Sequence, residues 1–184
     1  MAQQEIIMAG FGGQGLLFSG KVLAHAGLIE NRELSWLPSY GPEMRGGTCN
    51  CSVILSDDPV GSPIVAHPNV LMVMNTPSLD KYEKEVAPGG ILFVDSSLIS
   101  RKVERTDVEV VYIPATGMAT DMNATSLANM IILGAIVEHT KCVKWESLAP
   151  ALHHVISARH ADLLGLNLKA LEAGRDFMKN YKAN

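Results

Sequence analysis

A short apolar segment that runs directly into a glycine-rich turn most constrains the fold of this chain. Residues Glu5–Ala9 read EIIMA, and residues Gly10–Gly15 read GFGGQG. A continuous apolar run this short is typical of a strand buried on both faces, as in a parallel sheet. Residues Leu16–Glu30 carry apolar side chains at helical spacing, so the turn joins a strand to a helix. The sequence therefore predicts an α/β fold at its start.

Further segments of strand and helix follow in alternation. The predicted strands are Glu33–Leu37, Thr48–Ser56, Asn69–Met74, Ile91–Asp95 and Glu109–Ile113, with a charged, exposed helix at Ser78–Val86. From Ala124 onward, a nearly all-apolar central helix precedes amphipathic helices at Trp145–Ser157 and Leu168–Lys182. This order predicts a Rossmann-like, doubly wound sheet in three layers with a C-terminal helical end. We expect residues 1–184 to form a single domain of this kind.

Composition and charge disfavour several classes of function. Apolar residues make up 47% of the chain and charged residues 18%, which favours a well-buried core. The net charge of −4, with both signs mixed, argues against a nucleic-acid partner, which would need clustered Lys and Arg. No apolar run reaches the roughly 18 residues of a membrane span, and the N-terminal residues lack a basic signal-peptide segment. We therefore expect a soluble, cytoplasmic protein with no membrane partner.

The number and spacing of the cysteines and histidines do not indicate a metal site. Cys49 and Cys51 form a single C-x-C, whereas zinc and iron–sulfur sites usually take four ligands. Positions two apart on a strand share one face, so both are interpreted as small buried side chains. Apart from His153 and His154, which are near His160 in the helical end, the histidines show no metal-ligand spacing. All six are interpreted as helix-face or capping residues: His25, His67, His139, His153, His154 and His160.

The glycine-rich turn allows two interpretations. Gly10, Gly12 and Gly15 satisfy G-x-G-x-x-G, and a helix that starts near Gln14 would direct free N–H groups at a phosphate or carboxylate. Alternatively, the glycines let the helix pack close to the sheet or let another protein approach. A dinucleotide site is disfavoured, because it needs an acidic residue about 20 positions further on, after the second strand. That strand ends in LPSY at residues 37–40.

A second glycine-rich loop, Ser39–Gly47, reads SYGPEMRGG. Loops that follow the first two strands of a doubly wound sheet lie at the same edge, so Arg45 is expected near the glycine turn. Its guanidinium suits a carboxylate or phosphate, although it could instead pair with Glu43 and stiffen the loop. The candidate cofactor-binding or interface residues are Gly10, Gly12, Gly13, Gln14, Gly15, Ser39, Tyr40, Glu43, Arg45, Gly46 and Gly47.

Other polar residues suggest structure more than catalysis. Asp95, followed by Ser96 and Ser97, ends a predicted strand at the same edge. Its carboxylate could bond within the loops or cap the next segment, and we favour the cap. No nucleophile, base and acid form a convincing trio, so no catalytic residue is assigned.

The chain resembles the gamma-type subunit of 2-oxoacid:ferredoxin (acceptor) oxidoreductases. Four segments carry this resemblance: the two glycine-rich loops, VDSSL at Val94–Leu98, and NMIILGA at Asn129–Ala135. The resemblance extends over essentially the whole chain. The version SYGPEMRGG is more similar to the 2-oxoglutarate and branched-chain oxoacid enzymes than to the pyruvate enzymes. The resemblance implies that this chain is a subunit of an enzyme that oxidatively decarboxylates a 2-oxoacid to an acyl-CoA and passes the electrons to ferredoxin. The favoured 2-oxoacid is 2-oxoglutarate.

The resemblance also implies partners and cofactors. Alpha and beta subunits would carry most of the active site, and a ferredoxin-like delta subunit is a further candidate partner. The complex would use thiamine diphosphate with Mg, iron–sulfur clusters, and coenzyme A as co-substrate, whereas this chain alone would bind no cofactor or metal. Its expected role is to complete the complex and line the coenzyme A side. The alternatives are a purely structural assembly subunit and an independent nucleotide-binding reductase; a subunit should expose apolar surface.

Overall fold

The computed structural model describes residues 3–39, 48–157 and 160–181. Within these ranges the strands are β1 (Gln4–Phe11), β2 (Glu33–Ser39), β3 (Thr48–Ser56), β4 (Val70–Val73), β5 (Ile91–Asp95) and β6 (Glu109–Ile113). The α-helices are α1 (Leu16–Ile29), α2 (Thr76–Tyr82), α3 (Ala115–Asp121), α4 (Ala128–Thr140), α5 (Leu148–Val155) and α6 (Leu163–Asn180). The strands form one sheet in the order β2-β3-β1-β4-β5-β6. The predicted α/β sheet with a helical C-terminal end is confirmed.

The sheet is mixed, which corrects the parallel arrangement expected of its buried strands. β1, β4, β5 and β6 run parallel, but β3 lies antiparallel between β1 and β2. The connection explains this direction, because only residues 40–47 separate β2 from β3, whereas a parallel crossover takes about a dozen residues or more. The bounds of β3, β5 and β6 agree with the predicted segments.

Several helices differ from their prediction. The helix expected at Ser78–Val86 begins at Thr76, because the Asn75 side chain accepts a hydrogen bond from the Ser78 N–H at 2.8 Å. It is only partly exposed, since Leu79 is fully buried. The sequence does not predict α3, because ATGMATD has no helical repeat of large apolar residues. The segment expected at Trp145–Ser157 is a single turn, Trp145–Ser147, followed by α5, and α6 begins at Leu163 instead of Leu168.

Apolar residues on the two faces of the sheet form two cores. Along β1, Ile6 and Met8 face one core, while Ile7 and Ala9 face the other. The first core packs under α1 and α3 to α6, and the second under α2. Every residue of α4 from Ala128 to Val137 is buried, as the apolar pattern predicts. Helices, sheet and helices therefore form three layers.

The backbones of α4 and α6 touch at two glycines. A Cβ on Gly134 would collide with the backbone of Leu171, and a Cβ on Gly174 with the backbone of Ile131. Neither glycine has a positive φ, so backbone conformation does not require glycine at these positions. The close approach of the two helices does. In the described parts of the chain, no helix combines the length and apolarity needed to cross a membrane.

A buried carboxylate anchors the connection between β5 and β6. Glu83 lies directly after α2 and is 6% exposed. It accepts hydrogen bonds from the Arg101 guanidinium and from the backbone N–H of Glu104, both at 2.6 Å. The connection that begins at the carboxyl edge of β5 is thereby tied to the helical layer.

Candidate functional site

The carboxyl ends of β1 and β4 form the natural ligand position of this sheet. The two strands are adjacent and parallel, with Ala9 beside Val73. After β1 the chain enters α1 on one face of the sheet, and after β4 it enters α2 on the other. Because the two connections leave in opposite directions, a crevice opens between them at this topological switch point. The glycine-rich turn lies there.

The turn presents bare backbone at Gly13. Gly13 and Gly15 have φ of 92° and 77°, in the left-handed region that glycine favours. A Cβ on Gly13 would meet nothing within 4 Å, so the space in front of it is open. α1 begins at Leu16, slightly later than the start expected near Gln14, with Gly15 as its N-cap. No described side chain caps this N-terminus, and its first turn has no acidic residue.

Gln14 folds back and closes the turn from the side of the sheet. Its Oε1 accepts a hydrogen bond from the Phe11 N–H at 2.6 Å, and its Nε2 donates to the Met74 carbonyl at 3.2 Å. A Cβ on Gly10 would collide with Oε1, so close approach explains this glycine. The amide of Gln14, a predicted ligand or interface residue, is therefore engaged inside the turn.

Asn129 of α4 holds the turn from the helical side. Its Nδ2 donates to the Gly15 carbonyl at 2.9 Å and to the Ser19 hydroxyl at 2.8 Å. A Cβ on Gly15 would lie 2.6 Å from Nδ2, so this glycine is required for space as well as for φ. Sequence reasoning missed this contact. The available signal was a single buried amide near the start of an otherwise apolar helix.

A cleft of about 200 Å³ opens in front of the turn. Its walls come from the turn, the end of β4 and the segments after β5 and β6. The described residues that line it include no charged side chain and are Gly13, Gln14, Met74, Leu98, Thr116, Thr125, Ser126 and Ala128. Ligand pockets usually measure about 300–1,000 Å³, so the described residues enclose only part of a nucleotide-sized ligand. Phe11 and Leu98 are 40% and 47% exposed at this edge. Two separate apolar side chains are not yet an extended apolar patch, so the apolar surface expected of a subunit stays a prediction.

Asp95 organises the far wall of the cleft. Its fully buried carboxylate accepts a hydrogen bond from the Ser97 N–H at 3.0 Å and from the Thr116 hydroxyl at 2.6 Å. The bond to Ser97 lies within the loop after β5, where no helix begins, so the structure shows the alternative of a bond within the loops and not the favoured cap. The carboxylate also bonds to the first turn of α3. The contact fixes Thr116 in the cleft wall.

The second glycine-rich loop leaves and re-enters the sheet at the same edge. Ser39 pairs with Asn50, and Asn50 also pairs with Ala9, so the end of β2 lies level with the end of β1. Thr48, where the chain returns, pairs with Phe11. The loop interior lies outside the described residues, so its members stay predictions: Tyr40, Glu43, Arg45, Gly46 and Gly47.

The strand order departs from a dinucleotide-binding arrangement. In that fold the second strand lies beside the first, with an acidic residue at its end for the ribose. Here β3 intervenes, so β2 lies two strand spacings, about 9–10 Å, from β1. β2 also ends in Leu37-Pro38-Ser39, which has no acid. Both observations disfavour a nicotinamide cofactor at this turn.

The two neighbouring cysteines are buried, as predicted. The Cys51 thiol donates a hydrogen bond to the Leu16 carbonyl at 3.4 Å. Burial, with a smaller effect from Cys49, raises the pKa of Cys51 to about 12, so this thiol is protonated at neutral pH. No group of three His, Cys, Asp or Glu residues could hold a metal ion in the described ranges.

Three of the histidines make structural contacts between elements. The rings of His25 and His154 stack between α1 and α5 with centroids 6.0 Å apart. Burial, followed by the charge of Lys21, lowers the pKa of His25. His139 lies 3.2 Å from the Glu109 carboxylate, between α4 and β6. These three agree with the predicted helix-face role.

Comparison with known proteins decides the family. The model of the pyruvate ferredoxin/flavodoxin oxidoreductase family matches residues 5–177. The chain belongs to this family. The match extends from β1 into α6 and includes the glycine turn and the segment of the second loop. The resemblance inferred from the sequence motifs is thereby confirmed.

Two relatives match most of this chain in sequence. It is 38% identical over 176 residues to ketoisovalerate oxidoreductase subunit VorA of Methanothermobacter thermautotrophicus, a match that covers 95% of this chain and 36% of that protein. It is 37% identical over 153 residues to 2-oxoglutarate synthase subunit KorC of Methanocaldococcus jannaschii, covering 82% of each. The chain thus spans about a third of the length of VorA.

A solved structure shares the fold over nearly its whole length. The crystal structure of the gamma subunit of a keto/oxoacid ferredoxin oxidoreductase from Geobacter sulfurreducens PCA superposes with a TM-score of 0.83 at 28% identity. The match covers 97% of this chain and 99% of that one. The mixed sheet and its helical end are therefore a fold that this gamma subunit also adopts.

Proposed function

We propose that this chain is the gamma-type subunit of a thiamine-diphosphate-dependent 2-oxoacid:ferredoxin oxidoreductase. The assembled enzyme converts a 2-oxoacid to an acyl-CoA and passes the electrons to ferredoxin. Alpha and beta subunits hold thiamine diphosphate with Mg and most of the reacting groups, and iron–sulfur clusters lie elsewhere in the complex. In this proposal the carboxyl edge, meaning the Gly10–Gly15 turn, the cleft and the Ser39–Gly47 loop, faces these partners and lines the coenzyme A side.

The proposed substrate is 2-oxoglutarate, with a branched-chain oxoacid as the alternative. The relatives at 38% and 37% identity are named for ketoisovalerate and for 2-oxoglutarate, so identity alone does not separate the two. The motif SYGPEMRGG is typical of both groups. Because the cleft carries no charged side chain of its own among the described residues, we assign substrate selection to the partner subunits.

The observation that carries this proposal is the open backbone of Gly13 at the switch point. A self-sufficient site would be deeper and would normally contain a charged or nucleophilic group. The cleft of about 200 Å³ instead offers hydroxyls, one amide that is already engaged, and apolar surface. In the assembled enzyme, another chain at this edge would cover the exposed side chains of Phe11 and Leu98. Such an edge is one half of a site that a partner completes.

The chemistry of this edge suits an anion. The uncapped start of α1 directs backbone N–H groups and the positive end of the helix dipole outward. Arg45, in the loop between β2 and β3, would add a guanidinium that can grip a phosphate with two parallel hydrogen bonds. The phosphates of coenzyme A meet both requirements, and so does a carboxylate of a partner subunit.

Two matched glycine variants test the proposal. Gly13 and Gly89 both have positive φ and open space around a would-be Cβ, but Gly89 lies before β5, at the opposite edge of the sheet. Aspartate is tolerated in this backbone region, so Gly13→Asp and Gly89→Asp should cost similar stability. In the reconstituted complex we expect Gly13→Asp to raise the KM for coenzyme A roughly tenfold or to block assembly. Gly89→Asp should leave both unchanged.

The same experiment separates the alternatives. If Gly13→Asp weakens assembly but the assembled fraction keeps its KM for coenzyme A, the chain is an assembly subunit without ligand contacts. If the complex forms normally and shows wild-type kinetics, the proposed orientation of this edge is wrong. An independent nucleotide-binding reductase predicts a thermal shift of the pure chain with NAD, whereas our proposal predicts none.

A further inference from the structure

We propose that Asn129 is a positioning residue that keeps the glycine turn in its binding-competent form before any ligand or partner arrives. The inference rests on the proposed function, because it takes this turn as the part that meets the ligand or partner. Asn129 is 1% exposed and is not among the described residues that line the cleft, although its neighbour Ala128 is. Asn129 would therefore act on binding through its neighbours, and its hydrogen bonds are to the turn and to Ser19.

The hydrogen bonds fix the orientation of the Asn129 amide. Its Nδ2 donates one hydrogen to the Gly15 carbonyl at 2.9 Å and the other to the Ser19 hydroxyl at 2.8 Å. A backbone carbonyl can only accept, so the NH₂ group and not the oxygen must face Gly15. The Gly15 carbonyl also accepts the first helical hydrogen bond, from the Ser19 N–H at 3.0 Å. Asn129 therefore acts on the residue where the turn becomes helix.

Only the donor half of the Asn129 amide is satisfied by described residues. The Oδ1 atom of Asn129 is shielded from solvent and has no hydrogen-bond partner among the described residues. An unpaired buried acceptor is unfavourable, and leucine, which has the same branching but larger methyl groups, would carry no such acceptor in this apolar helix. What leucine cannot supply is the pair of donors that holds Gly15 at its φ of 77°.

Asn129 and Gln14 clamp the turn from opposite sides. Gln14 ties it to the end of β4 through the Met74 carbonyl, and Asn129 ties it to α4. No side chain caps α1 within the described ranges. The side chains that bond to the Gly15 carbonyl are Asn129, at 2.9 Å, and the Ser19 hydroxyl, at 3.3 Å, to which Asn129 also donates. A turn fixed in advance saves a binding partner the entropy of ordering it.

The test compares two buried asparagines. Asn167 in α6 is 3% exposed, donates from Nδ2 to the Leu163 carbonyl at 2.8 Å, and also has an unpaired Oδ1. Asn129→Leu and Asn167→Leu therefore remove similar groups from different places. In the full-length chain we expect Asn129→Leu to lower the amide order parameters of Gly13 and Gly15 from about 0.85 to below about 0.6. Asn167→Leu should leave both values unchanged.

Each outcome of this comparison is decisive. Unchanged order parameters in Asn129→Leu, or equal losses in both variants, would overturn the positioning role. If leucine prevents folding, Asn129→Ala removes the same two bonds without added volume, and failure of both variants would make Asn129 a folding residue and overturn the inference. In the complex, Asn129→Leu should raise the KM for coenzyme A roughly tenfold with little change in kcat. A looser turn with unchanged KM and assembly would refute the proposed function and leave the positioning of the turn established.

Discussion

Substitution of Gly15 by alanine measures how tightly the turn is clamped. An L-residue in the left-handed region costs about 1–2 kcal/mol. The new Cβ would also lie 2.6 Å from Asn129 Nδ2, which must then move and give up its bonds to Gly15 and Ser19. Two neutral hydrogen bonds contribute about 1–3 kcal/mol together. We therefore expect Gly15→Ala to lower the free energy of unfolding by about 2–5 kcal/mol.

Gly13→Ala is the matched control for this prediction. Its φ is 92° and its Cβ would meet nothing within 4 Å, so only the backbone cost of about 1–2 kcal/mol applies. Urea denaturation gives both values if the slope of unfolding free energy against urea stays the same. In an Asn129→Ala background the obstruction is gone, and the added cost of Gly15→Ala should fall to that of Gly13→Ala. Equal costs for the two glycines in the wild-type background would refute the clamp.

Three further changes probe other parts of the molecule. Gly174→Ala forces a Cβ into the backbone of α4 and should lower the free energy of unfolding by more than about 4 kcal/mol. Gly165→Ala, in the same helix as Gly174, meets open space and should raise the free energy of unfolding by up to ~1 kcal/mol. Although burial opposes it, the hydrogen bond from Arg101 holds the pKa of the Glu83 carboxyl below its ordinary value of 4.5. The ionised carboxylate therefore stabilises the fold above about pH 4.5, and this stabilisation is lost as pH falls below that value. Thermal unfolding should show that the stability difference between wild type and Glu83→Gln becomes smaller as pH is lowered through and below pH 4.5. Arg45→Ala should raise the KM for coenzyme A in the assembled complex without changing the Tm of the isolated chain; wild-type kinetics would remove Arg45 from the site.

The strands were the most predictable part of this fold. β3, β5 and β6 begin and end where their apolar patterns do, because burial on a sheet face leaves a direct trace in the sequence. Strand direction leaves no such trace, since the period of two is the same in both directions. The antiparallel direction of β3 follows from the short connection at residues 40–47.

The site was predictable in position but not in construction. The glycine motif located the turn, and the doubly wound pattern located its edge. Its two clamps join residues 60 and 114 positions apart, Gln14 to Met74 and Asn129 to Gly15, and local spacing carries no information about such pairs. The sequence likewise gives no sign that Asp95 bonds to Thr116, because α3 itself lacks a recognisable apolar repeat.

Hydrogen exchange on the reconstituted enzyme tests the central claim most directly. Backbone amides at the carboxyl edge, in residues 10–18 and 39–48, should become protected when the chain joins its alpha and beta partners, and further protected when coenzyme A is added. The opposite edge around Gly89 should not respond to coenzyme A. If assembly and coenzyme A leave the glycine turn as exposed as in the isolated chain, this edge does not face the active site and the account given for it is wrong.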